Sequence, residues 1–347
     1  MFSILINVKR YFTLPVGPSL EKNRLLVIFL LLVCFSASAE DAAGEADEKS
    51  AHLFSVGFSL GLLSGTSEEI VYRSSSANSY LSQLVWRLNP LFYAGVDAGY
   101  SWQSQADPES VFGKIFSGFF VDASFKYGLP GDTGLMEDKD WLRQPTWAIS
   151  HYSIHNNNTE TALLAGFDIG KSFKLYNEFR LGVFLSYNLM YYSFIARGGT
   201  FLYPEIDGGH YSDSGSDNVV TYRQLWQILS PGVSFYGVFN SYFNVEIFLK
   251  ATPLITASSF DEHLSRTLQI INDPMYFGLY IEPGLVFSFM LPGSKFMLSF
   301  SLNYRNISGT RGDSKYRYPD NLNFYRNVGG ADYSTFDIGI IAKFVIF

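Results

Sequence analysis

Apolar side chains recur at every second position from Phe296 to Tyr304, and polar side chains lie between them from Ser299 to Arg305. Successive side chains of a strand point to opposite faces, so this pattern predicts a strand with one apolar and one polar face. The same alternation returns at 54–62, 115–126 and 243–250. Such repeated alternation restricts the chain to an all-β fold.

Strand-like segments of this kind can be counted along the chain. We predict ten, at roughly 52–73, 79–102, 111–128, 158–174, 179–200, 217–238, 242–260, 266–290, 296–310 and 332–347. An even number of antiparallel strands with short turns at one end and long polar loops at the other is typical of a transmembrane β-barrel. The long loops are expected at 129–157, 201–216 and 311–331. Many segments exceed the roughly 9 to 11 residues that cross a bilayer, so the barrel should extend above the outer membrane.

Composition favours a membrane barrel over a soluble β-sandwich. Charged residues make up only 16% of the chain and aromatic residues 17%, whereas about a quarter of the residues of a soluble domain are charged. A sandwich also predicts alternation, but it leaves a polar, solvated face on each sheet. The aromatic closing segment, 336–347, favours insertion into lipid.

The N-terminus has the order of features found in a secretory signal. Basic residues precede a short apolar run at 25–35, and small residues follow at 36–39. We therefore expect a signal peptide at 1–39, an acidic flexible tail at 40–50 and one barrel domain at 51–347. Cys34 leaves lipidation as a less favoured alternative, because bulky Val33 stands where a small residue is expected.

Two short clusters stand out because a barrel does not need them for its fold. Asp138 and Asp140 are two residues apart, as are Asp261 and His263, so on an extended backbone each pair shares one face. Together they could activate water. Singly, each is more often a turn former or a solvated charge. Alternation after Pro253 would also point the second pair outward, which predicts a bulge either near that proline or at the rim of the barrel.

Several motifs resemble those of the omptin family and follow in the same order. They are Ser59–Gly65, Glu69–Tyr72, Ser82–Trp86, Met136–Trp141, Tyr192–Gly199 and Asp261–His263. The resemblance implies an outer-membrane aspartic-type endopeptidase that cleaves at basic residues and whose active site faces the cell exterior. It implies that Asp138, Asp140, Asp261 and His263 are catalytic and that water is the nucleophile.

The resemblance also suggests how substrate specificity departs from the family pattern. Glu69 matches an acidic residue of the omptin pocket for the basic side chain before the scissile bond. The second acid of that pocket is replaced by Ser259, and the acidic position serving the residue after the bond falls near Ile149. We expect Arg or Lys before the cut, with weaker selectivity, and an apolar residue after it.

The omptin positions that bind lipopolysaccharide phosphates are matched by Tyr191, Leu225 and Asn272, so the basic cluster is missing. A different lipid, no lipid requirement, or lost activity all remain open. We expect no cofactor apart from an activating lipid such as lipopolysaccharide. The expected partners are peptides or proteins with basic residues and outer-membrane lipid, bound by a monomer.

Other functions fit less well. The net charge of -7 argues against nucleic acid, and the histidine spacing predicts no metal site. A catalytically inactive barrel acting as an adhesin or host-protein receptor is the main alternative. A passive channel is third, because inward charges such as Asp122, Lys126, Glu246 and Lys250 should block a narrow lumen.

Overall fold

The chain folds as antiparallel β-structure. The computed structural model describes residues 50–74, 79–104, 117–142, 148–176, 178–203, 210–213, 215, 217–264 and 267–346. The predicted signal peptide and nearly all of the predicted tail lie outside these residues. The strands are β1 (Ser50–Tyr72), β2 (Tyr80–Ser104), β3 (Phe119–Gly128), β4 (Gly131–Asp140), β5 (His151–Tyr176), β6 (Phe179–Tyr203), β7 (His210–Asp213), β8 (Asn218–Asn240), β9 (Phe243–Thr252), β10 (Ile255–His263), β11 (Leu268–Tyr276), β12 (Leu279–Met290), β13 (Phe296–Ser308), β14 (Arg311–Tyr318) and β15 (Asn321–Ile346).

These strands close into a ring. Strand β15 pairs with both β13 and β1, which joins the two ends of the sheet. Four positions of the ring are filled by two strands in succession: β3 with β4, β9 with β10, β11 with β12, and β13 with β14. The ring therefore has ten strands, as predicted from the alternation. Short β7 pairs with the end of β6.

Two of the three long loops predicted from the sequence are mostly strand in the structure, so these two predictions were wrong. Most of 129–157 is strand, because β4 runs along β2 and β5, and most of 311–331 is strand, because β14 pairs with β15. These segments rise beyond the apolar band of the barrel wall, where both faces can be polar. Polar sequence there resembles loop sequence although the backbone is fully paired.

A band of apolar side chains surrounds the outside of the lower barrel. Phe58 and Leu60 are 63% and 66% exposed, and the neighbouring strand exposes Phe336, Ile338 and Ile340. Such a surface suits the interior of a bilayer. On β1 and β15 the band ends near Leu60 and Phe336, below the acidic clusters. No helix in the described part of the chain is long and apolar enough to cross a membrane.

Ion pairs fill the lumen enclosed by this band. Lys126 lies 2.8 Å from Asp337, which also contacts Arg305 at 3.1 Å, and Lys250 lies 3.0 Å from Asp168. Lys126 and Lys250 each reach a strand that is not their neighbour in the sheet. They leave a cavity of about 330 Å³ lined by the predicted inward charges, among them Asp122 and Glu246. This packing disfavours a passive channel.

In the seventh strand of the ring, the residues that face inward change from even-numbered to odd-numbered at the break between β9 and β10. Lys250 and Thr252 are buried on β9, whereas the buried residues of β10 are Ile255, Ala257, Ser259, Asp261 and His263. Opposite them on β8, four residue steps separate Ile228 from Gly232, but five separate their partners Lys250 and Ile255. One extra residue therefore re-phases the strand, which confirms the predicted bulge and places it near Pro253.

Candidate active site

The first acidic pair lies on β4, in the upper wall of the barrel. Asp138 and Asp140 are both buried on the inner face. Asp138 is paired with Leu84 of β2 and Ser153 of β5, so strands on both sides hold its backbone. The prediction that this pair shares one face therefore agrees with the structure, but the pair stands on a strand and not in a loop.

The outer face of β4 carries a small ionic cluster. Arg87 donates hydrogen bonds to Oε1 of Glu137, and Nζ of Lys139 lies 2.9 Å from the other oxygen. Burial acts to raise the pKa of Glu137, but the Arg87 and Lys139 contacts outweigh it and lower the pKa. Glu137 therefore remains ionised at neutral pH and links β4 to β2 on the side away from the site.

The second pair lies at the end of β10. Nε2 of His263 is 2.8 Å from Oδ2 of Asp261, and the Asp261 side chain is completely buried. Neither Asp261 oxygen receives a hydrogen bond of good geometry from the described residues, so this is a close contact between the two side chains, and catalytic hydrogen bonds are often poorly aligned before substrate binds. A histidine held at one nitrogen by a buried carboxylate can accept a proton at the other.

Glu69, on the inner face of β1, interacts electrostatically with acidic side chains of both β4 and β10. Its side chain is buried, and burial raises its pKa well above the ordinary value. The negative charge of Asp261 raises that pKa further, the hydrogen bond from Asn272 opposes the shift, and the charge of Asp138 adds to it. Because carboxylates of β4 and β10 both act on Glu69, the three acids share one interior region.

Asn272 is the direct partner of Glu69. Its Nδ2 donates to Glu69 Oε1 at 2.6 Å and to Ser259 Oγ at 3.1 Å. Placing Asn272 among lipid-binding positions was therefore wrong, because its side chain is fully buried inside the barrel. Tyr191 and Leu225 are half-buried cross-strand neighbours on the outer face.

A second histidine lies beside the acidic pair. His155 is buried on β5, where its Nε2 is 2.9 Å from Ser153 Oγ and its Nδ1 contacts the carbonyl oxygen of Gly198. Burial lowers the pKa of His155, the Gly198 contact opposes this, and the charge of nearby His263 lowers it further. His155 is therefore neutral at neutral pH.

The close fit of His155 depends on Gly199. This residue has φ of +99°, and a Cβ there would lie 2.0 Å from the Ile154 carbonyl oxygen and 2.8 Å from His155 Nδ1. The pairing of β5 with β6 shifts at this point. The glycine-rich end of the Tyr192–Gly199 motif thus forms a bulge against His155.

An aromatic layer lies next to the site in the barrel interior. Trp86 stacks on Phe194 and Tyr222, with ring centroids 5.4 Å apart in both cases. The hydroxyl groups of Tyr192 and Tyr333 are hydrogen-bonded to each other at 2.6 Å. Tyr222 is the cross-strand partner of Asp261, and burial followed by the charge of Glu69 raises its pKa well above the ordinary value. The layer separates the acidic region from the ionic lumen.

The remaining predicted site residues occupy the same wall segments. Ser259 is buried two residues before Asp261. Ile149 is half-buried just before β5, two residues from His151, which pairs with Asp140. Among the described residues no group of three or more His, Cys, Asp or Glu side chains could hold a metal ion.

His155 was not among the predicted site residues, although it shares a face of β5 with Ser153. The contact of Asn272 with Glu69 was not predicted either, because no local sequence pattern shows that two inward-facing side chains 203 residues apart meet. The site as a whole joins a buried Asp/His pair, two carboxylates and a buried acidic pocket. This arrangement can activate water beside a bound cation.

Comparison with known proteins shows the family of this chain. Residues 50–346 match the family model described as the Omptin family. The outer membrane protease IcsP of Shigella flexneri is 29% identical over 268 residues, which cover 75% of this chain and 79% of that protein. Protease 7 of Escherichia coli strain K12 is 24% identical over 78% of this chain and 83% of its own length.

The fold also matches a solved structure. The crystal structure of the outer membrane protease OmpT from Escherichia coli superposes with a TM-score of 0.74 at 18% identity, covering 85% of this chain and 97% of that one. The protein is accordingly a transmembrane β-barrel of the outer membrane with its site facing outward. The chain belongs to the Omptin family of outer-membrane proteases.

Proposed function

We propose that this protein is an endopeptidase that cleaves proteins and peptides after a basic residue, using water activated by Asp261 and His263. The observation that carries the proposal is the 2.8 Å contact between these two side chains on the inner face of β10. The wall segment β4 presents Asp138 and Asp140 to the same interior.

The proposed reaction needs no covalent intermediate with the enzyme. Neutral His263 takes a proton from water, and the hydroxide attacks the carbonyl carbon of the scissile bond. Asp261 stabilises the imidazolium that forms, while Asp138 and Asp140 accept hydrogen bonds that position the water. His263 then returns the proton to the leaving amine nitrogen as the peptide bond breaks, so protons balance over the cycle.

The preference for a basic residue rests on Glu69. Its carboxylate and that of Asp261 are almost fully buried, and neither forms an ion pair with lysine or arginine among the described residues. Burying a carboxylate without a cation is costly, so a basic substrate side chain would stabilise this region. Ser259 belongs to the same pocket, because its hydroxyl oxygen accepts a hydrogen bond from Asn272. We also propose that apolar Ile149 contacts the residue after the cut.

The test is cleavage of a peptide library by the refolded protein, with and without lipopolysaccharide, beside His263→Ala. We expect cuts after lysine or arginine by the wild-type protein and none by the variant. Comparison of the two lipid conditions decides whether an activating lipid is needed, and the oligomeric state in detergent tests the proposed monomer. A variant that cuts as fast as the wild type would refute the proposed mechanism.

A further inference from the structure

Four buried polar side chains on neighbouring strands form the pocket around Glu69. Asn272 of β11 is the cross-strand partner of Ser259 on β10 and of Ser314 on β14. All four side chains are at most 4% exposed. The set therefore forms a continuous polar row along the inner wall, with Glu69 at one end.

The orientation of the Asn272 amide is fixed by its partners. Ser314 Oγ donates to Asn272 Oδ1 at 2.5 Å, which leaves the amide nitrogen directed towards Glu69 and Ser259. The two N–H groups of Nδ2 then account for the bonds to Glu69 Oε1 and Ser259 Oγ. Asn272 is thus a fixed hydrogen-bond donor to one oxygen of Glu69.

Gly329 of β15 makes room for this arrangement. A Cβ at that position would lie 2.5 Å from Asn272 Oδ1 and 2.6 Å from Ser314 Oγ. Both distances are shorter than real Cβ contacts allow, so a larger residue would displace the amide. The close approach of Asn272 to Glu69 therefore depends on a glycine on the strand between them.

The two oxygens of Glu69 consequently differ. Asn272 occupies Oε1, whereas Oε2 is buried and receives no hydrogen bond from the described residues. A guanidinium ion pairs best with both oxygens of a carboxylate at once, but an ammonium ion acts as a point charge and needs only one. Ser259 offers a hydroxyl acceptor and no second carboxylate.

We propose that Asn272 determines the specificity of this pocket by holding one oxygen of Glu69, so that lysine is preferred over arginine before the scissile bond. This inference rests on the proposed function, because it concerns the pocket of the same site. It assigns Asn272 a positioning role towards Glu69, and Ser314 and Gly329 hold Asn272 in place.

The test compares two peptides that differ only in lysine or arginine before the cut. We expect wild-type kcat/KM to favour lysine by on the order of tenfold, the effect of one hydrogen bond to a charged group. Asn272→Ala frees Oε1 and should bring the ratio to about one or reverse it. Ser314→Ala keeps Asn272 but removes the donor that orients it, so it should shift the ratio in the same direction if Asn272→Ala fails to fold.

Asn157→Ala is the matched control. Asn157 is also a fully buried amide, and its Nδ2 donates to the Arg87 carbonyl oxygen and to Thr133 Oγ1, away from Glu69. Its loss should leave the lysine-to-arginine ratio unchanged. A wild-type preference for arginine, or an unchanged ratio in a folded Asn272→Ala protein, would overturn the inference while leaving the protease function standing.

Binding separates the inference from the chemistry. Affinities of the two peptides for His263→Ala, measured by isothermal titration calorimetry, should also favour lysine, and the preference should disappear when Asn272→Ala is added. If the wild-type protein cleaves no peptide but His263→Ala still binds the lysine peptide more tightly than the arginine peptide, the proposed function fails and the role assigned to Asn272 in the pocket stands. Equal binding of both peptides overturns the assignment.

Discussion

Nε2 of His263 lies 2.8 Å from Oδ2 of Asp261, and the carboxylate is fully buried whereas a tenth of the histidine side chain is exposed. The buried partner can orient the ring and stabilise its charged form, while the ring itself remains accessible to water. Activity should therefore depend on the charge of Asp261 and not only on its shape.

Asp261→Asn keeps the size of the side chain and removes its charge. We expect kcat to fall by about two to four orders of magnitude, the usual contribution of general acid–base catalysis, with a small change in KM. Steady-state cleavage of a lysine-containing peptide measures both constants. Retention of more than a tenth of wild-type kcat by a correctly folded variant would contradict the assigned role.

Glu69→Gln tests the charge of the pocket. The pKa of Glu69 is raised, so the wild-type pocket is neutral at low pH and gains its charge as pH rises through that pKa. KM for a lysine peptide should therefore fall with rising pH. KM of the variant should not change with pH. At alkaline pH it should exceed the wild-type KM by about tenfold or more, as expected for loss of a charged hydrogen-bond partner. A parallel pH profile in both proteins would exclude Glu69 as the titrating group.

Gly199→Ala should damage both stability and activity. A Cβ at Gly199 meets the Ile154 carbonyl oxygen at 2.0 Å, next to His155, and the backbone there has a positive φ. Gly293 has a similarly positive φ of +67° but open space around it, so Gly293→Ala is the control. We expect a cost of about 1 kcal/mol for the control and clearly more for Gly199→Ala. Thermal unfolding in detergent would show equal losses if the contact had no effect.

Asp332→Asn should change how stability varies with pH. Burial raises the pKa of Asp332 to about 6, although the Gly309 N–H donates to the carboxylate and opposes the shift. The folded protein therefore holds this proton more tightly than the unfolded chain. The resulting stabilisation is complete below about pH 4 and is lost as pH rises to about 6.

The asparagine variant lacks this loss and keeps an acceptor for Gly309. Its thermal midpoint relative to wild type should increase between pH 4 and 6 and stay constant above pH 6. A constant difference across the whole range would show that Asp332 does not titrate as described.

Much of the barrel could be predicted because alternation reports directly on which face a side chain occupies. Asp261 and His263 followed the opposite parity from the start of their strand, which predicted an extra residue near Pro253 or at the rim, and the strand register places it near Pro253. The strands above the apolar band were missed at 129–157 and 311–331, because a paired strand with two polar faces has no period of two.

Contacts between distant strands were beyond reach of local patterns. Glu69 and Asn272 are 203 residues apart, and their hydrogen bond depends on barrel closure and on the absence of a side chain at Gly329. The motif match indicated the proposed catalytic residues, but it could not show how Asn272 and His155 pack beside them. Those relations depend on shear and register, which a single strand does not reveal.

The extra residue between β9 and β10 has a consequence for how this wall can diverge. Below it, even-numbered positions face the lumen, and above it odd-numbered positions do. Removing Leu254 would restore one continuous alternation from β9 into β10 with Asp261 and His263 still facing inward, whereas a regular strand that kept all its residues would turn both outward. Because of the insertion, the choice of inward positions on β9, in the lipid-embedded part of the wall, is independent of the choice on β10, which carries the proposed catalytic residues. Each segment can therefore accept substitutions without constraining the other.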